Sequence, residues 1–135
     1  MRIARILTVL LCALPLASCG FFTPTFQTSR YPDGRVSFFI MSSFARAVCV
    51  DRIGVFELDD GKRGREIWSV EEDPPSNAVC QSSFMFGETP EGFTRGAGGA
   101  GDPLVVGREY VLVAHAGLIR GNMPFTHEIP ENAAE

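Results

Sequence analysis

The sequence has 135 residues, 45% of them hydrophobic and 10% aromatic, with 14 glycines and 9 prolines. That length suffices for one small domain and no more. With 16 acidic and 12 basic residues the formal net charge is −4, which argues against a nucleic-acid partner, because such partners need a basic face.

The chain opens with MRIARILTVLLCALPLASCGFF. Arg2 and Arg5 form a positive flank. Ile6 to Leu16 form an apolar run too short to span a bilayer, and Pro15 and the polar residues after Gly20 break it. Ala17 and Ser18 are the small residues that a signal peptidase requires beside its cut, so residues 1–18 read as a cleaved signal peptide. Leu16-Ala17-Ser18-Cys19 resembles the lipobox of bacterial lipoproteins. The resemblance implies that the Cys19 thiol receives a diacylglyceryl group, that cleavage makes Cys19 the new N-terminus, and that its amine is acylated as well. One acyl chain anchors marginally and two or more hold firmly. The expectation is a protein on the membrane through its lipid, facing the periplasm, with no transmembrane helix. Gly20 stands where the enterobacterial retention signal has aspartate, which favours the outer membrane over the inner. Cleavage removes Arg2 and Arg5 and no acidic residue, so 10 basic residues face 16 acidic ones and the mature net charge is about −6. That balance argues against electrostatic docking on anionic lipid.

Of the four cysteines, Cys12 leaves with the signal and Cys19 is taken by lipid. Cys49 and Cys80 remain, an even number in an oxidising compartment, and they read as a disulfide. The rival reading, a redox or metal pair, lacks the spacing of CxxC or of a zinc knuckle.

Residues 19–35 read as a lipidated N-terminus and tether, punctuated by Thr, Ser and Pro, with Tyr31-Pro32-Asp33-Gly34 as a turn signal. Phe21, Phe22 and Phe26 within it either lie at the membrane surface or dock on the domain. Residues 36–130 read as short strands divided by turn chemistry. VSFFIMSSF comes first. RIGVFEL runs into Asp59-Asp60-Gly61, a hairpin signal. REIWSVE follows, with Trp68 and Val70 on one side at period two. EDPPSN breaks the chain. VCQSSFMFG places Cys80, Phe84 and Phe86 on one face, and RGAGGAGDP reads as a flexible loop. REYVLVAHA, a turn at GLIRGN, and MPFTHEI with Met123, Phe125, His127 and Ile129 on one side complete the domain. Residues 131–135 read as a frayed tail. Six or seven short strands, turns every 8–12 residues and no sustained period of 3.6 predict an all-β protein, a β-sandwich.

LVVGREYVLVA is similar to the corner before strand F of fibronectin type III domains, where a leucine, a turn glycine, a tyrosine and alternating apolar residues build a tyrosine corner. Leu104, Gly107, Tyr110, Leu112 and Ala114 occupy the matching places. The resemblance implies an immunoglobulin-like sandwich of antiparallel strands. A transthyretin-like sandwich, used by some bacterial lipoproteins that act as assembly factors, is the nearest alternative. Fold alone does not imply function.

Several constellations could carry chemistry. Gly96, Gly98 and Gly101 match GxGxxG in letters, yet Asp102-Pro103 and a β-like run follow where a helix is needed to hold a pyrophosphate. No cofactor is expected. A hairpin around Leu118–Arg120 would set His115 opposite about residue 124, so His115 and His127 are offset and read as half-exposed strand residues, with no third metal ligand in place. Asp59-Asp60 and Glu71-Glu72-Asp73 fall at opposite ends of one hairpin and read as solvated turns, since calcium needs six or more converging oxygens. No GxSxG elbow and no free cysteine remain for nucleophilic catalysis, and the chain does not read as an enzyme. Eleven phenylalanines and Trp68 are heavy for this length. Phe93 sits on a predicted turn, and with Phe39 and Met41 it is the expected exposed apolar patch for a protein partner. The functional expectation is a non-enzymatic interaction or structural module held at the membrane, an accessory subunit of an envelope complex. The alternative is a periplasmic small-ligand or metal-binding domain.

Overall fold

The computed structural model describes residues 24–42, 47–73 and 80–131. The signal segment, Cys19 and residues 132–135 lie outside the described residues. Eight strands follow one another: β1 Thr25–Arg30, β2 Val36–Met41, β3 Arg52–Asp59, β4 Lys62–Glu72, β5 Ser83–Met85, β6 Phe93–Ala100, β7 Glu109–Ala116 and β8 Ile119–Thr126. They form a three-stranded sheet in the order β1-β2-β5 and a five-stranded sheet in the order β6-β4-β3-β7-β8. All pairings are antiparallel. The protein is an all-β sandwich, as the sequence pattern predicts.

The alternation that identifies the strands also builds the core. Along β2, Val36, Phe38 and Ile40 are buried and Ser37, Phe39 and Met41 are half-buried. From the opposite sheet come Ile53, Val55, Trp68, Val70, Leu112 and Ala114, all buried. Aromatic rings join the two layers. Phe38 meets Phe125 edge-on at 5.5 Å, and Phe125 stacks on Tyr110 at 5.7 Å. Each fully buried ring of this size stabilises the fold by roughly 1.5–3 kcal/mol through apolar area removed from water, with edge-on pairing adding about 0.5–1.5 kcal/mol.

The turns follow their residue types. Asp60 and Gly61 both have positive φ (50° and 75°) and form the two-residue β3–β4 connection between the paired Asp59 and Lys62, as expected of a primed hairpin turn. In the Tyr31–Arg35 connection the Gly34 amide donates to the Tyr31 carbonyl at 3.0 Å, and the Asp33 carboxylate accepts from the Arg35 amide at 3.1 Å. At the corner before β7 the Val105 amide donates to the Tyr110 hydroxyl at 2.9 Å. That bond ties the Tyr110 hydroxyl to the backbone five residues upstream. Cys49 and Cys80 are disulfide-bonded, with Cα atoms 4.5 Å apart.

Three stretches differ from the sequence reading. The expected tether contains β1, whose Phe26 packs on the core. Gly121 admits it: a Cβ there would lie 2.5 Å from Pro24 Cγ and 2.7 Å from Phe26 Cζ. The glycine-rich expected loop is the edge strand β6, paired with β4. Gly96 lies so close to the Ser69 side chain that a Cβ there would collide with its hydroxyl. Glycine here marks close approach of strands, the alternative meaning of glycine inside a strand. Conversely, VCQSSFMFG contributes only the three residues of β5.

Candidate functional site

The expected partner patch is not one surface. Phe93 is buried, 8% exposed, and meets Phe84 edge-on at 5.6 Å. It begins β6, and its turn position was misread because Phe93 pairs with Glu72 across the β4–β6 ladder. Phe39 and Met41 do project from the outer face of the three-stranded sheet, since the inner face is taken by Val36, Phe38 and Ile40. Phe39 lies between Gln27 and Ser83, and Met41 opposite Thr25. Met85, opposite Ser37, extends this half-buried strip. The result is a narrow apolar line framed by neutral polar side chains.

The outer face of the five-stranded sheet carries a different chemistry. Arg52 pairs with His115, and His115 pairs with Arg120. Directly paired residues share a face, so these three make one row across β3, β7 and β8. In the next row Gly54 lacks a side chain, and the Phe56 ring lies against the space: a Cβ at Gly54 would be 3.2 Å from Phe56 Cε2. The Arg63 guanidinium stacks over Phe56 at 4.8 Å. Together with Glu66 and Val113 these residues line an open-sided groove of about 330 Å³. A second shallow groove of about 440 Å³ shares Arg63 and Val113 and runs on past Leu58 and Pro124. Arg52 has a carboxylate neighbour in Glu66 at 3.9 Å. Among the described residues Arg120 has no such partner. Burial, then the Arg120 and Arg52 charges, hold the His115 pKa below its ordinary 6.5, against an opposing pull from Asp51. Three guanidiniums converging on one groove in an acidic chain form a surface suited to anions.

Sequence reasoning did not find this row. The cue was the β7–β8 turn. Taken at Leu118–Arg120, the hairpin sets His115 against residue 124. The chain in fact turns at Gly117-Leu118, where Gly117 has φ +62°, so Ala116 pairs with Ile119 and His115 with Arg120. His127 lies at the far end of the same hairpin and does not approach His115. It is buried, 4% exposed, rather than half-exposed as expected. Its backbone exchanges hydrogen bonds with the corner before β7, its amide donating to the Arg108 carbonyl at 3.1 Å and its carbonyl accepting from the Gly107 amide at 2.8 Å. Burial, then Arg30, lowers its pKa.

At the far end Glu57, Asp59 and Asp102 are engaged with arginine. Glu57 accepts from Arg65 at 3.2 Å and faces Arg108 at 3.3 Å. Arg65 also reaches Asp102 at 3.0 Å, and Arg108 lies 3.7 Å from Asp59. This network ties the β3–β4 hairpin to the segment before β7. Asp59 is therefore an ion-pair partner as well as a turn residue. Glu71, Glu72 and Asp73 lie at the opposite end of β4, as the hairpin reading requires. Among the described residues no three His, Cys, Asp or Glu side chains come together as a metal would need, and no helix is long and apolar enough to cross a membrane. Comparison with protein-family models, curated proteins and solved structures gave no match.

Proposed function

We propose that the chain is a bacterial lipoprotein, anchored through lipid on Cys19 and facing the periplasm, whose immunoglobulin-like sandwich serves as a non-enzymatic interaction module of an envelope complex. The observation that carries this reading is the spacing between the lipobox and the fold. Cys19 ends the signal-like segment, and β1 begins only six residues later at Thr25, so the processing site falls just ahead of a self-contained domain. The Cys49–Cys80 disulfide suits an oxidising compartment. The immunoglobulin-like form is favoured by the Tyr110 corner and by the β2–β3 and β4–β5 connections, which pass between the two sheets. A small-ligand protein usually encloses its ligand in a pocket, whereas the grooves described here are open-sided. The partner strip is the outward row of Phe39 and Met41.

Cell fractionation tests the anchor. Wild-type protein is expected in the membrane fraction and labelled by palmitate, and Cys19→Ser is expected in the soluble periplasm without label. Unchanged membrane retention of Cys19→Ser would refute lipid anchoring. Crosslinking in intact cells then identifies the neighbour, and purification with a tightly held small molecule and no crosslinked protein would overturn the interaction reading.

A further inference from the structure

The anchor and the fold together dictate which end of the sandwich meets the bilayer. Pro24 sits against Gly121 and lines a narrow crevice with Ala116 and Ile119. The chain therefore enters the fold at the end where β7 turns into β8. Five residue steps separate Pro24 from Cys19, at most about 18 Å when fully extended. Formation of β1 shortens the tether expected over residues 19–35, so on the lipid-anchor reading this end of the domain is held close to the membrane.

The tip of that end is Leu118, 103% exposed and the most exposed of the large hydrophobic residues described. The turn that presents it is braced, because the Gly117 amide donates to the Asp51 carboxylate at 2.9 Å. Immediately behind the tip lies the row Arg52–His115–Arg120. A braced apolar tip backed by guanidiniums matches the layering of a bilayer surface, with acyl boundary below and phosphates above. The carboxylates near this end fall beside Arg52 and at the turn: Glu71 is the cross-strand partner of Arg52, Glu66 lies 3.9 Å from its guanidinium, and the Asp51 carboxylate is taken up by the Gly117 amide. Glu66 and Glu71 are on β4, three strands from β8 and roughly 14 Å across the sheet from Arg120. Arg120, with no carboxylate partner among the described residues, therefore carries the uncompensated positive charge behind the tip, although the net charge read from sequence argues against electrostatic docking.

We infer that the β7–β8 turn, with Leu118 at its tip and Arg52 and Arg120 behind it, docks on the anionic headgroup surface of the membrane that holds the protein. This inference rests on the lipid-anchor reading. It fixes the orientation of the domain: the β7–β8 corner faces the bilayer, and the Val105-Val106 corner, at the other end of the eight-residue β7 and some 27 Å away, faces outward.

The test uses the full lipidated protein in phosphatidylethanolamine–phosphatidylglycerol vesicles. With Cys19 acylated and Cys49 bonded to Cys80, a cysteine introduced by Leu118→Cys or Val106→Cys is the one reactive thiol and takes an environment-sensitive dye. Brominated lipid is expected to quench the dye at position 118 at least about fivefold more than at 106, since only the former reaches the acyl boundary. Arg52→Glu with Arg120→Glu is expected to remove most of that difference while the protein still floats with the vesicles. Flotation with equal quenching at both positions overturns the docking and leaves the anchor standing. Failure to float overturns the anchor reading and the docking with it. A dye at 118 that is shielded equally in detergent, without vesicles, identifies a second chain or another protein as the occupant and also overturns the inference.

Discussion

Reduction of the Cys49–Cys80 bond offers a quantitative test of how this sandwich is stabilised. The bond closes a loop with a sequence separation of 31, and the chain-entropy relation gives about 3.7 kcal/mol of stabilisation for that length at 25 °C. The folded state does not need the bond to hold its shape. The Val50 amide donates to the Gln81 carbonyl at 2.9 Å and the Ile40 amide to the Ser82 carbonyl at 2.9 Å, so the two segments remain aligned by backbone hydrogen bonds. Both cysteines are exposed, so removing the sulfurs opens no core cavity. The effect should therefore act through the unfolded chain. Trp68 is the sole tryptophan and fully buried, which makes its fluorescence the natural probe in urea. With an m-value of about 1.5 kcal/mol/M for a domain of this size, the midpoint is expected to fall by about 2.5 M on reduction. Native Trp68 emission in the absence of urea should be unchanged. A loss below about 1 kcal/mol, or a native spectrum altered by reduction alone, would refute this account of the loop.

Two further outcomes follow from Tyr110 and from the histidines. Tyr110→Phe removes the acceptor of the Val105 amide while keeping the buried ring. Val105 is more than half exposed, so water can replace the hydroxyl, and the expected cost is about 1 kcal/mol in urea unfolding; a cost near zero or above about 3 kcal/mol would contradict the corner geometry. The two histidines make the fold sensitive to acid. Both have folded pKa values depressed below the ordinary 6.5. The unfolded chain thus binds more protons just below that value, so stability is full above about pH 6.5 and declines as pH falls through 6.5 toward the folded values. Urea midpoints at about pH 7.5 and about pH 5.5 should show the loss, and a midpoint that rises on acidification would contradict the burial of His127.

The sheets were legible in the sequence wherever one face of a strand is apolar. β2, β3, β4 and β7 carry that alternation or continuous apolar runs, and Asp60-Gly61 marks its hairpin outright. β1 and β6 were not legible, for opposite reasons. Thr25–Arg30 buries little beyond Phe26, so its composition matches a linker. Phe93–Ala100 is rich in glycine, and the reason for the glycine at 96 is the Ser69 side chain beneath it, a contact between distant parts of the chain. Phe93 was misplaced for the same cause: a turn assignment at that position hides its pairing with Glu72. The disulfide was legible because the lipobox reading sets Cys12 and Cys19 aside and leaves Cys49 and Cys80 as the one pair. The arginine row was hidden by a small error in turn placement, because in a strand a slip of register changes every cross-strand neighbour.

The edges of the sandwich bear on where a partner can bind. β8 is an edge strand by sheet order, but β1 passes beside it: Phe26 occupies the space over Gly121, and the Arg30 guanidinium donates to the Thr126 carbonyl at 3.1 Å. β1 itself turns Thr25, Gln27 and Ser29 outward. β5 has three residues, too few to template a long ladder. β6 is the longest remaining edge, and its glycines supply no apolar row to hold an added strand. These are the devices by which sheet proteins avoid edge-to-edge pairing, and on the proposed lipid anchor, which would concentrate the chain on a surface, they matter most. With the edges blunted and the β7–β8 corner turned to the membrane, a partner of the proposed module has to bind a face. On the three-stranded sheet that face is the strip of Phe39, Met41 and Met85, which the inferred orientation leaves pointing sideways, parallel to the bilayer and within reach of another envelope protein.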